Sequence, residues 1–181
     1  SPEEARFQLR HRLGLPVTPH SFKEFASAVC ACGLPLAGLD DNHFLTCSST
    51  KGFVSHRHNS TERDMLKMCA RAGAAAVLEP RADNGETMQR CDLWVDLGAN
   101  NEWLVDLTIR HPGAASHLKR GSGDYRGACA FQAEAAKRGK YISGARGQGM
   151  DFSAFAIETW GTMGREADSF MKRLAKHCGV V

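Results

Sequence analysis

A chain of 181 residues that is 43% hydrophobic and 24% charged, with a net charge of +3, is long enough for one well-buried α/β domain or for a domain with a small appended module, and too apolar for a disordered tail. No apolar run approaches the roughly 18 residues that a bilayer crossing needs, so we expect a soluble chain with no membrane partner. The charge is uneven: residues 60 to 109 hold five Lys/Arg against nine Asp/Glu, and residues 110 to 148 hold eight against two, which suits a cation-holding site beside a phosphate-meeting surface, or two solvated faces of opposite sign.

The chain opens on Ser1-Pro2 with no signal-peptide pattern behind it, and we expect a fragment of a longer protein. EEARFQLRHRLGL sets Phe7, Leu9, Leu13 and Leu15 among basic residues, predicting a short amphipathic helix ended by Gly14 and Pro16. In SFKEFASAVC, Ser21 and Glu24 form a capping box that predicts a second helix. From Cys30 to His58 turn residues dominate, predicting a loop-rich module. NSTERDMLKMCARAG predicts a helix capped by Asn59 or Ser60, with Met65, Met68, Cys69 and Ala72 on one face and Gly73 as its stop. AAAVLEP is a strand candidate and RADNGETMQ a polar turn.

DLWVDL and EWLVDLTI, joined through GANN, predict a β-hairpin. An Ala-rich helix is expected from Gly121 to Arg138, with Tyr125, Ala128, Cys129, Gln132, Ala135 and Ala136 lining up. KYISGARGQG predicts a basic loop or strand end, DFSAFAIET a strand and READSFMKRLAKHC a closing amphipathic helix. This order predicts an α/β fold with a mixed central β-sheet flanked by helices on both faces. Trp94, Trp103 and Trp160 are expected in the core, with stacking on unpaired bases as the alternative.

Cys30, Cys32, His43 and Cys47 form C-x-C-x10-H-x3-C, with Gly33 after the second cysteine. One residue between two cysteines favours metal binding over a bridge, and the set suits a closed, tetrahedral structural Zn2+ site. His56 and His58 are substitute ligands, and plain buried thiols are the alternative. We expect a reducing, intracellular compartment.

Asp92 and Asp106 sit inside or beside apolar strands, where an unpaired carboxylate costs several kcal/mol. Two carboxylates on neighbouring strands can converge on one divalent cation, which removes that cost and supplies phosphodiester chemistry. Salt bridges to Arg90 and Arg110 are the alternative. Thr108, not lysine, stands two after Asp106, so Lys137 and Lys140 would bring the cation from another element. Arg110, His111, His117, Lys119, Arg120 and Arg126 follow directly, with Arg146 in a later RGQG, and form a candidate phosphate-binding set.

RCD, VDLT and KRGKY resemble the PD-(D/E)xK core as it occurs in the restriction-like endonuclease domain of site-specific non-LTR retrotransposon proteins, where the lysine has moved into a K-x3-Y element on a helix. LRHRLGLP, the C-x-C-G module, RHN at 57 to 59 and FAIETWGTMG extend the resemblance over nearly the whole chain. It implies a helical and zinc-knuckle module over 1–58 and a restriction-endonuclease-like domain over 59–181. It implies Asp92, Asp106 and the Leu107 carbonyl as ligands of Mg2+ or Mn2+, Lys137 acting on the attacking water, and Tyr141 holding the lysine or a phosphate. Glu79 is an outer ligand or a strand end, and Lys140 joins the nucleic-acid-binding set. The implied activity is nicking of target DNA to give a 3′-hydroxyl that primes reverse transcription. The implied partners are the reverse transcriptase domain of the same polypeptide and the element RNA, in the nucleus. A catalytically silent nucleic-acid-binding module is the competing reading, and a zinc-dependent interaction module, which leaves the paired aspartates unexplained, is a third.

Overall fold

The computed structural model describes residues 29–35, 41–47, 49, 51–80 and 91–179. The helices expected over residues 7 to 15 and from Ser21, and the polar turn at 81 to 89, lie outside the described residues. In chain order the elements are α1 (Asp41–Thr46), α2 (Lys51–Arg71), β1 (Ala75–Leu78), β2 (Leu93–Asp96), β3 (Glu102–Arg110), α3 (Ala115–Leu118), α4 (Ala128–Gly147), β4 (Asp151–Glu158) and α5 (Arg165–His177).

The four strands lie in the order β1-β2-β3-β4. The pairs β1/β2 and β2/β3 are antiparallel, and β3/β4 is parallel, so the sheet is mixed, as the element order predicts. The β2/β3 hairpin turns through Gly98, Ala99 and Asn100, all at positive φ, and Asp96 Oδ1 accepts the Gly98 N–H at 2.7 Å. That aspartate serves the turn. A parallel pair needs a long crossover, and here α3 and α4 supply it.

Helices cover both faces, so β3 and β4 are buried almost throughout rather than alternating. On one face Leu93, Val95, Val105, Leu107 and Phe155 pack against Met65 and Cys69 of α2 and Phe170 and Leu174 of α5. Each such side chain fully buried contributes about 1.5–3 kcal/mol. On the other face Leu104, Phe152 and Ala154 meet Tyr141 and Ala145 of α4, and Ala156 meets Ala130 and Ala133.

Helix boundaries differ from expectation in two places. α2 begins at Lys51, ahead of the cap expected at Asn59 or Ser60, and runs through the position where the sequence divides 1–58 from 59–181. Its end is as expected: Gly73 takes φ 78, with Ala74 N–H on Cys69 O and Gly73 N–H on Ala70 O, a Schellman stop. α4 begins at Ala128, not Gly121, and continues to Gly147 through the stretch expected as loop or strand end. Its glycines discourage a helix by propensity, but Tyr141 and Ala145 bury against the sheet and packing decides.

Candidate metal centres and catalytic cluster

Near the N-terminal end of the described chain, Gly33 N–H donates to Cys30 O and Cys30 N–H to Leu34 O, a tight knuckle with Gly33 at φ 88. It presents Cys30 and Cys32 to His43, within α1, and to Cys47, at its exit. The four ligand atoms lie within 4.8 Å of one another. Cys30 Sγ is 3.8 Å from Cys47 Sγ, and His43 Nε2 is 3.2 Å from Cys30 Sγ and 3.4 Å from Cys32 Sγ. Ligands about 2.3 Å (sulfur) and about 2.0 Å (nitrogen) from a tetrahedral centre stand roughly 3.5–3.8 Å apart. This Cys3His group has the ligand types and spacing that could hold a zinc-like ion. A disulfide needs sulfurs about 2.05 Å apart, and none of these cysteines is in a disulfide. His58, expected as a substitute ligand from its place along the chain, lies elsewhere.

The second cluster forms where β2 enters the sheet. The Asp92 N–H donates to Val105 O at 3.0 Å, and the Glu79 N–H donates to Asp92 O at 2.8 Å. Asp92 stands just ahead of the paired residues of β2, and its Oδ2 turns in to accept the Leu107 N–H at 2.5 Å. The carboxylate is thereby fixed beside the Asp106–Leu107 step. Its other oxygen, Oδ1, lies 3.5 Å from His58 Nε2, which is 2.9 Å from Glu62 Oε1 one turn along α2. His58, Glu62 and Asp92 form a second group whose ligand atoms lie within 4.8 Å of one another.

Asp106 is only 2% exposed. Lys137 Nζ, projecting from the middle of α4, stands 2.6 Å from Asp106 Oδ2. Burial raises the Asp106 carboxyl above the usual carboxylate range; Lys137 opposes that shift and the Asp92 charge adds to it. Burial also raises Glu62, partly offset by His58. Tyr141 lies one turn past Lys137, whose amine is 5.5 Å from the ring centroid, and Lys140 Nζ donates to Tyr141 OH at 3.0 Å. Cys91, beside Asp92, has its thiol pushed up to about 12 by burial and then by the charges of Asp106 and Asp92.

The fold thus brings together Asp92, Asp106, Leu107, Lys137, Lys140 and Tyr141. The cation facing Asp106 is Lys137 rather than Arg110, and Arg90 lies outside the described residues. Glu79 is exposed at the end of β1 with φ 47, and the group gathered on Asp92 consists of His58 and Glu62 instead. Sequence reasoning missed these two as a pair. The signal was present: His58, Glu62, Met65 and Cys69 recur at helical spacing, an apolar stripe that turns polar where α2 passes Asp92. Starting the helix at Asn59 cut His58 from that face.

Of the candidate phosphate-binding set, Lys119, Arg120, Arg126, Lys140 and Arg146 are exposed. Arg110 is half-buried, and His111 is buried with Nδ1 2.7 Å from Thr159 Oγ1. Trp103 is buried and Trp94 half-buried, as expected of core residues, whereas Trp160 is 41% exposed. Comparison with protein-family models and with curated proteins finds no match.

Proposed function

We propose that this chain is a metal-dependent DNA endonuclease domain of the PD-(D/E)xK, restriction-like kind, preceded by a zinc knuckle. The observation that carries the reading is the buried Asp106 carboxylate with the Lys137 amine 2.6 Å away, set beside a second fixed aspartate. A carboxyl raised by burial and paired with one lysine across two elements is a signature of functional sites. The chain's resemblance to the endonuclease domain of site-specific non-LTR retrotransposon proteins adds the substrate. The parent protein would work in the nucleus with its own reverse transcriptase domain and element RNA.

Asp92, Asp106 and the Leu107 carbonyl would hold Mg2+ or Mn2+, with Glu62 and His58 adjoining from α2. Hard oxygen donors suit such ions, and Cys3His suits Zn2+ at the knuckle. When bound, the divalent ion supplies Lewis-acid stabilisation of phosphoryl charge and a water of lowered pKa. The chain's own part is positional. Asp92 is fixed by the Leu107 N–H, so its other oxygen, beside His58, keeps one direction. Lys137 is within reach of Asp106, where it would orient an attacking water and balance charge on the phosphate. Tyr141 has the Lys137 and Lys140 amines over its ring and would hold them near Asp106. The product would be a nick with a 3′-hydroxyl.

A catalytically silent nucleic-acid-binding module is favoured by one observation: both aspartates already have protein partners, Leu107 N–H and Lys137. Nicking of supercoiled plasmid separates the two. With Mg2+ or Mn2+ the wild-type chain should give open circles, and Asp106→Asn and Lys137→Met should lose that activity while still binding DNA. Equal background cleavage by all three chains would rule out the enzyme and leave the binding module.

A further inference from the structure

A cavity of about 550 Å3 opens at the C-terminal ends of the parallel strands β3 and β4, where α4 begins. That size falls within the range of about 300–1,000 Å3 typical of small-molecule sites. Two large aromatic residues line it while staying exposed, Tyr125 and Trp160. Neither ring is loose. Tyr125 stacks on Phe131, with centroids 5.9 Å apart and planes at 25°, and Trp160 meets His111 edge to face at 5.7 Å. Gly127, which also lines the cavity, lies at φ 86 in close packing, for a Cβ there would press on Phe131 and Thr162.

The electrostatics of the cavity are asymmetric. Arg126 lines the mouth with Nε 3.4 Å from Thr162 Oγ1, and Lys119 and Arg120 are exposed on the same stretch. From 107 to 133 Asp124 is the only acidic residue, against Arg110, Lys119, Arg120 and Arg126. The cavity also contains Glu158, whose carboxylate accepts the Cys129 and Ala130 N–H groups at 3.2 and 3.3 Å. The start of α4 thus compensates that charge. A free phosphate would sit poorly beside Glu158, and an apolar peptide poorly beside the basic rim. Aromatic walls, a compensated floor and a cationic mouth suit a flat, neutral ring carried on a phosphate backbone.

Arg110 follows Asp106 by four residues of β3, about 13 Å at roughly 3.3 Å per residue. Gly127 precedes Lys137 by ten residues, about 15 Å of helix at 1.5 Å per residue. The cavity therefore stands about four base steps from the Asp106–Lys137 pair, at roughly 3.4 Å per step. Resting on the endonuclease reading for its choice of DNA, we propose that the Tyr125–Trp160 cavity is a nucleobase subsite. It takes one unpaired base of the bound DNA while Lys119, Arg120 and Arg126 hold the flanking phosphates.

The test is affinity, measured by fluorescence anisotropy without divalent cations, for two duplexes that differ by one unpaired nucleotide. Wild type should prefer the bulged duplex by about tenfold. Tyr125→Ala and Trp160→Ala should each remove most of that preference while leaving the paired duplex within about twofold, and Tyr125→Phe and Trp160→Phe should keep it. No preference in wild type, or the same preference in both alanine variants, overturns the proposal. Asp106→Asn separates the two readings, because it should abolish nicking and retain the preference. A retained preference in a wild-type chain that never nicks would support the base subsite and remove the nuclease.

Discussion

Asp106 and Cys91 are two neighbouring buried groups whose ionisation burial opposes. Asp106 is raised by burial despite Lys137, so in the metal-free protein its stabilising share is present below the ordinary carboxylate pKa of about 3.9 and is lost as pH rises through the folded value. At neutral pH the ionised side chain is a burden. Replacing a buried ion pair often stabilises by about 1–4 kcal/mol, and about 1 kcal/mol moves the Tm of a chain this long by about 2–4 °C. Asp106→Asn combined with Lys137→Met, which removes both partners, should therefore raise Tm at pH 7 in chelator-treated protein, by less at acid pH, while ending nicking. A drop in Tm would mean that the Asp106–Lys137 pair is a net structural contact. Cys91 tells the same story from the thiol side. Its stabilising share is whole below the ordinary value of 9.0 and fades as pH climbs toward about 12, so the thiol is neutral under physiological conditions. Iodoacetamide at pH 8 should label exposed Cys178 and spare Cys91, read by peptide mass spectrometry; rapid labelling of Cys91 would contradict its burial.

At the scale of elements, α4 carries the lysine and its length decides where the lysine stands. Gly139 and Gly144 lie inside it, and a Cβ added at either position meets no atom within 4 Å. Gly in a helix interior costs about 0.5–1 kcal/mol relative to Ala. Gly144→Ala should raise Tm by a few degrees and leave plasmid nicking unchanged, and a fall in Tm would show that the glycine is needed for local bending. These glycines also explain what the sequence hid. Hairpin, β4, α5 and the end of α2 were legible because alternation, Gly73 and an amphipathic stripe agree with the final packing. The last turns of α4 were not, because glycines at 139, 144 and 147 read as loop until Tyr141 and Ala145 are seen against the sheet. The knuckle was legible from spacing alone, since a metal site demands ligand types more than a hydrophobic period. One zinc per chain is expected by metal analysis, and Cys32→Ser should lower it to near zero; an unchanged zinc content would move the site elsewhere.

Across the whole molecule, the acidic stretch of 60 to 109 runs from α2 through the hairpin, and the basic stretch of 110 to 148 forms the crossover that packs over the sheet. Charge asymmetry along the chain becomes a carboxylate cluster at one end of the hairpin and a cationic crossover beside it, which composition could suggest but not position. Glu62 and His58 meet Asp92 although far from it along the chain, a long-range contact that no local pattern encodes. The exposed Lys119, Arg120, Arg126, Lys140 and Arg146 lie along α4 and its entrance. From Arg126 to Arg146 is about 30 Å at 1.5 Å per residue, or roughly nine base steps of duplex. If all five meet DNA, the logarithm of the binding constant should fall with the logarithm of salt at a slope of about −0.9 for each phosphate neutralised, roughly −4.5 for these five residues together. Arg120→Ala and Arg146→Ala should each lower the slope by about one without changing sequence preference. A slope untouched by Arg146→Ala, with the expected drop for Arg120→Ala, would confine the DNA to the side of α4 that holds Lys137 and the Tyr125–Trp160 cavity, away from Arg146, and so fix the direction in which the duplex leaves the cluster.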